Sequence, residues 1–188
     1  MNKIDINNLT GKCLVATPNS DGEFAQSVIY ICSHGKDGAM GFIINHRLKE
    51  FSFSDLAVEL PFPFKDKSLP ISLYQGGPLD KTKGFILHSD EYQIADSINI
   101  SSGISVSSSL EVLQDIACGK GPKQRIIALG YAGWAPEQLE KEILNNQWVV
   151  VDANQDLVLG DKDSIKWEQA LSSLGINNLN FSDSLGHS

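Results

Sequence analysis

Cysteine is scarce in this chain: three residues, Cys13, Cys32 and Cys118, among 188. An odd, scattered set without Cys-x-x-Cys spacing makes neither a disulfide framework nor a zinc site. The expectation is a cytoplasmic, reducing environment, with no metal and no cofactor. Basic clusters are lacking too. The formal charge is −8 and the sequence pI about 4.9. The densest basic neighbourhoods, Lys65–Lys67 and Lys81–Lys83, are each broken by an acidic or polar residue. Such a surface repels a phosphate backbone, so direct nucleic-acid binding is not expected. No apolar run approaches the length that spans a bilayer, and "MNKIDINNLTGK" lacks the apolar core of a signal peptide, so no membrane association is expected. HExxH, GxSxG, Walker and GxGxxG motifs are absent as well, which sets aside the familiar enzyme classes built on them.

What is present suits one folded domain. Hydrophobic residues make up 41% of the chain, with eight Phe, four Tyr and three Trp spread along it. The domain is expected over residues 1–175, with the small, polar "INNLNFSDSLGHS" of 176–188 as a loose tail. "KCLVATP", "SVIYICSH" and "GAMGFIINHRL" read as three β-branched, apolar strands. "SFSDLAVEL" reads as a short helix capped by Ser52 with Asp55 in its first turn, stopped by Pro61. "PISLYQ" and "GFILHS" are strands flanking a Gly76-Gly77-Pro78 turn, and "SINISSGISVS" reads as one further strand. A helix from Ser108, with Glu111 completing a capping box, puts Leu110, Leu113 and Ala117 inward. "QRIIALGYAGW" is apolar on both faces, as a central strand is. Pro136 opens a helix with a Glu137–Lys141 pair, "WVVVDA" reads as a buried strand, and "DSIKWEQALSSLG" as a closing helix with Trp167, Ala170, Leu171 and Leu174 inward. Strands bunch before the first helix and do not alternate with helices regularly, which specifies an α+β fold.

Three blocks, "HGKDGAMGFIINHRL", "QGGPLDKTKGFILH" and "ALGYAGWAPEQLEKEILNNQWVVVDA", resemble in order and spacing the signature blocks of the YqgE/AlgH family of bacterial proteins. "LTGKCLVATP" and "KWEQALSSLG" match the family as well, so the resemblance covers nearly the whole chain. It implies a bent, partly split mixed β-sheet curled into a pseudo-barrel with packed helices. Some members carry the label of transcriptional regulator, from a link to alginate control in one lineage, but no biochemical activity is established for the family.

Candidate ligand-binding residues lie at strand ends and in the loops beside them, where function concentrates on a rigid scaffold. They are His34, Asn45, Gly76, Gly77, Pro78, His88 and Trp134, expected to line one concave surface with Asn45 near its edge. Each has a plainer reading. The glycine pair serves a turn, or lets a ligand approach backbone N–H groups. His88, on the strand face of Gly84 and Ile86, is a hydrogen-bonded structural residue or a general base. His34 follows Cys32 by two residues, which permits a thiol–imidazole pair on a continuous strand. Asn45 ties down the next turn, and Trp134 staples or walls the helix after it. Gln138 and Glu142, four residues apart, can face a cleft. The leading function is a cytosolic binding or regulatory protein for an unidentified small molecule or protein partner, any transcriptional effect being indirect. The alternative is an enzyme of unfamiliar class using His88 or His34 as acid/base.

Overall fold

Alternation of side chains along β-branched strands builds this molecule, and a computed structural model describes residues 5–61, 71–101 and 103–175. The strands are β1 (Lys12–Ala16), β2 (Val28–Gly35), β3 (Gly38–Ile43), β4 (Leu73–Gln75), β5 (Leu79–Ser89), β6 (Ile98–Ser101), β7 (Ile104–Ser107), β8 (Arg125–Trp134) and β9 (Trp148–Asp152). The helices are α1 (Phe53–Glu59), α2 (Leu110–Ala117), α3 (Gln138–Leu144), α4 (Gln155–Leu159) and α5 (Asp163–Ser172).

The fold is α+β. Eight strands follow the order β6-β7-β5-β8-β3-β2-β1-β9 with every neighbour antiparallel, while β4 lies off this path, parallel to β8. The sheet splits along β8. Ile127 to Leu129 lie between β5 and β4, whereas Ala132 to Trp134 pair with β3. Beyond β4 the chain bridges the split: Ile43 N donates to Gly76 O and Gly76 N donates to Leu129 O, each at 2.8 Å. The sheet also curls. Tyr30 of β2 reaches Ser101 of edge strand β6, hydroxyl to hydroxyl, at 2.8 Å. Gly11 lies so close to Ser101 that a Cβ would sit 2.9 Å from the serine Cβ. The result is a pseudo-barrel.

Its interior holds Cys13, Val15, Tyr30, Phe42, Phe85, Leu87 and Ile126, closed by Val158 and Leu159 of α4 and Trp167, Ala170 and Leu171 of α5. The outer face is covered in two parts. Leu14, Ile29, Ile31 and Ile43 pack with Leu139 of α3, and Ile86, Ile127 and Leu73 pack beneath α1 and α2.

Several expectations need correction. The serine-rich strand is a hairpin, β6 and β7, turned near Gly103 at φ +86°. β4 and β5 flank the Gly76-Gly77-Pro78 turn but do not pair with each other; both pair with β8. α2 starts at Leu110 with Val112, Leu113, Ile116 and Ala117 buried, and Leu110 points outward. No capping box closes it; the Asp96 carboxylate accepts from Ser108 N and Ser109 N instead, a partner supplied by tertiary structure. β9 is buried as read, although it lies at a sheet edge; Leu174 is exposed, and α4 was not anticipated. The expected tail, 176–188, lies outside the described residues. α1 agrees with its reading, with Ser52 and Asp55 forming the capping box.

Candidate functional site

Two tryptophans meet because two strand ends meet. Trp134 is the last residue of β8 and Trp148 the first of β9, and α3 joins them. Their rings are edge-to-face at 6.1 Å, and Phe24 stacks edge-on against Trp148 at 5.5 Å. Both indoles are nearly buried, so each N–H needs an acceptor. Glu142 on α3 supplies it twice: its Oε2 accepts from Trp134 Nε1 and from Trp148 Nε1, each at 2.8 Å. Gln138, one turn earlier, donates from Nε2 to Glu142 Oε1 at 2.8 Å and accepts Ala135 N at 2.9 Å. Three donors thus fix the carboxylate, which has about four acceptor positions. Beside it opens a cavity of about 600 Å³ whose wall includes Phe24, Pro78, Trp134, Gln138, Glu142 and Trp148.

The sequence candidates do not line one surface. Trp134 and Pro78 share this pocket. His88 pairs with Arg125 at the first end of β8, and His34 pairs with Ala39, which pairs with Trp134 at the other. β8 runs ten residues from one end to the other, roughly 30 Å of extended chain. The convergence expected of the two histidines is therefore wrong, because strand order is set by pairings remote in sequence.

Each remaining candidate has a local partner. His34 Nδ1 accepts Leu9 N at 3.1 Å, which fixes the neutral tautomer with the proton on Nε2, facing Glu140 Oε1 at 3.2 Å. His88 is fully buried. Its Nδ1 donates to Ser89 O at 3.1 Å, and its Nε2 is hydrogen-bonded to Ser107 Oγ at 3.0 Å. Ser97 Oγ lies 2.9 Å further along this hydroxyl chain. Asn45 ties down its turn, accepting Val28 N and donating to Gln26 O, each at 2.8 Å. Gly76 and Gly77 cross the backbone of β8: a Cβ on Gly76 would meet Gly130 O at 2.2 Å, and one on Gly77 would meet Tyr131 C at 2.1 Å. With Gly76 N engaged by Leu129, close crossing rather than a ligand accounts for the pair. The Cys32 thiol is pushed up by burial and then by Cys13, the opposite of an activated nucleophile.

The sequence reading missed a buried ionic cluster. Lys166 is 1% exposed. Its ammonium donates to Ile44 O at 2.9 Å and Val158 O at 3.3 Å, and pairs with Asp163 at 3.2 Å. Asp163 also pairs with Arg47 at 2.8 Å and accepts from Tyr74 Oη at 3.0 Å. Burial lowers the Lys166 pKa, against the attraction of Asp163. A larger cavity of about 800 Å³ adjoins Lys166 between α4 and α5. Three acceptors occupy the amine's three donors, so it is a tie between elements rather than a reactive group. Nothing in the sequence marks such a lysine, whose type is exposed by default. Among the described residues no group of three or more His, Cys, Asp or Glu side chains is placed to hold a metal, and no helix is long and apolar enough to cross a membrane.

A curled α+β sheet with an indole-walled, carboxylate-bearing pocket at one end of its central strand defines the class of protein. The chain belongs to the AlgH-like family DUF179, whose model matches residues 13–179. It is 42% identical over 184 residues to a UPF0301 protein of Paracoccus denitrificans, covering 96% of this chain and 97% of that one. It is 44% identical to one of Ruegeria pomeroyi, covering 95% and 98%. The solution structure of the AlgH protein from Pseudomonas aeruginosa superposes with a TM-score of 0.77 at 30% identity, over 100% of both chains. A crystal structure from Corynebacterium diphtheriae shares the fold at a TM-score of 0.72 and 23% identity, over 92% of this chain and 90% of that one.

Proposed function

We propose that this is a cytosolic binding or regulatory protein that takes a small molecule, or a side chain of a protein partner, in the cleft of Phe24, Trp134 and Trp148. Any effect on transcription is indirect in this reading. The observation that carries it is the Glu142 carboxylate, held by two indoles and an amide beside a cavity of about 600 Å³. Aromatic walls with a few fixed polar groups are the usual make-up of a ligand site. The acid/base reading draws less support, because both ring nitrogens of His34 and of His88 are engaged inside the protein.

The three indole N–H groups supply the test. Trp134 and Trp148 donate to Glu142, whereas Trp167 donates to Ala16 O in the core at 2.8 Å and serves as internal control. Small-molecule fractions from the host are titrated into ¹⁵N-labelled protein. The expected result is that one fraction shifts the Trp134 and Trp148 indole signals and leaves that of Trp167 in place. Shifts confined to other parts of the molecule, or none from any fraction, would overturn the reading.

A further inference from the structure

The pocket is one-sided in charge. Glu142 and Asp21 lie in its lining, and no Lys, Arg or His does. Two carboxylates outside the lining have a cation of their own: Glu23 pairs with Lys81 at 2.8 Å and Glu137 with Lys141 at 3.1 Å. Glu142 has none among the described residues; its partners are neutral N–H donors. The Glu142 carboxylate is met only by neutral N–H dipoles, and Phe24, Trp134 and Trp148 give the cavity beside it an aromatic wall. Anions meet repulsion here, and a neutral ligand leaves the charge uncompensated. A cation matches both features, since an aromatic wall and a carboxylate attract it together, most strongly where water is displaced.

Resting on the reading of this pocket as a binding site, we infer that its ligand carries an organic cation, an alkylammonium or guanidinium group seated between the aromatic rings and Glu142. The amide side chains of Gln138, Asn145, Asn146 and Gln147 in the same lining suit the polar remainder of such a molecule.

The test uses three probes of similar shape: tetramethylammonium, the neutral neopentyl alcohol and the anion pivalate. Agmatine and the tripeptide Gly-Arg-Gly then distinguish a free amine from a side chain of a partner. Each is titrated while the three indole signals are followed. The expected result is that tetramethylammonium shifts Trp134 and Trp148 with an affinity on the order of tenfold or more above the other two. Glu142→Gln retains an oxygen for the indoles and should weaken the cation by about tenfold or more. Asp21→Asn, at an exposed residue, should weaken it to a lesser degree, and an unmoved Trp167 signal confirms that both variants are folded. Tighter binding of agmatine assigns the cation to a free metabolite, and tighter binding of the tripeptide assigns it to a protein. Equal or better binding of neopentyl alcohol or pivalate would overturn the cation while leaving the pocket as a site. So would indifference of cation affinity to both substitutions, or no shift with any probe, whereas failure of every host fraction would remove the pocket itself.

Discussion

Cys13 is fully buried in β1, Cys32 has its thiol turned into the same core, and Cys118 is exposed at the end of α2. Burial pushes the Cys13 thiol from 9.0 up to about 12, partly offset by the charge of Lys166. A thiol raised in the folded state stabilises the fold fully below its unfolded value, and that contribution is lost as pH rises from 9.0 toward about 12. Unfolding free energy should therefore fall more steeply between about pH 8 and 11 in the wild type than in Cys13→Ala, measured by urea titration. At neutral pH that substitution should cost only on the order of 1 kcal/mol, as a small cavity does. Alkylation with iodoacetamide should label Cys118 in the native protein and reach Cys13 and Cys32 only on unfolding. Rapid native labelling of Cys32 would instead restore the thiol–imidazole pair that the sequence permits.

The turn after β4 sets the next scale. Gly76 and Gly77 cross β8 where Gly130 adopts φ +74°, and a Cβ on Gly130 would meet Leu79 O at 2.6 Å. Gly76→Ala or Gly130→Ala should therefore cost about 3 kcal/mol or more by chemical denaturation, since backbone cannot yield as a flexible side chain does. Gly84→Ala is the matched control: its nearest neighbour would be Leu129 Cδ2 at 3.9 Å, and it should change stability by less than about 1 kcal/mol. If all three lose stability equally, the crossing is not what requires glycine. These elements also mark how far the sequence could be read. α1, α5 and β8 were legible because capping residues and hydrophobic period act over a few neighbours. α3 begins only at Gln138, after a turn through Pro136 in which Glu137 takes φ +62° as N-cap, and not at Pro136 as read. The β6–β7 hairpin was not legible, because "SSG" interrupts a run whose composition stays the same on both sides. The pocket was legible in part: Trp134, Gln138 and Glu142 stood out in one short block, and Trp148 lay in the strand that follows it. Its separation from His88 depended on β5 pairing with the far end of β8, a fact of topology that no local pattern carries.

At the scale of the whole molecule, net charge decides what can approach. With a charge of −8, the protein should not shift duplex DNA at micromolar concentration in near-physiological salt. A gel shift that weakens steeply with added salt would contradict this and restore a direct role at the promoter. The order in which the chain is made gives one more consequence. Lys166 reaches Ile44 O across 122 residues, and Trp167 reaches Ala16 O across 151. β1 has β9 as its outer neighbour, so early strands receive their last partners from the end of the chain. During synthesis, β1 to β3 thus leave the ribosome long before the lysine and indole that complete their packing exist. The nascent chain carries an unfinished apolar sheet until α5 emerges, and it is in that interval, rather than in the finished protein, that it is most exposed to aggregation and most dependent on chaperones.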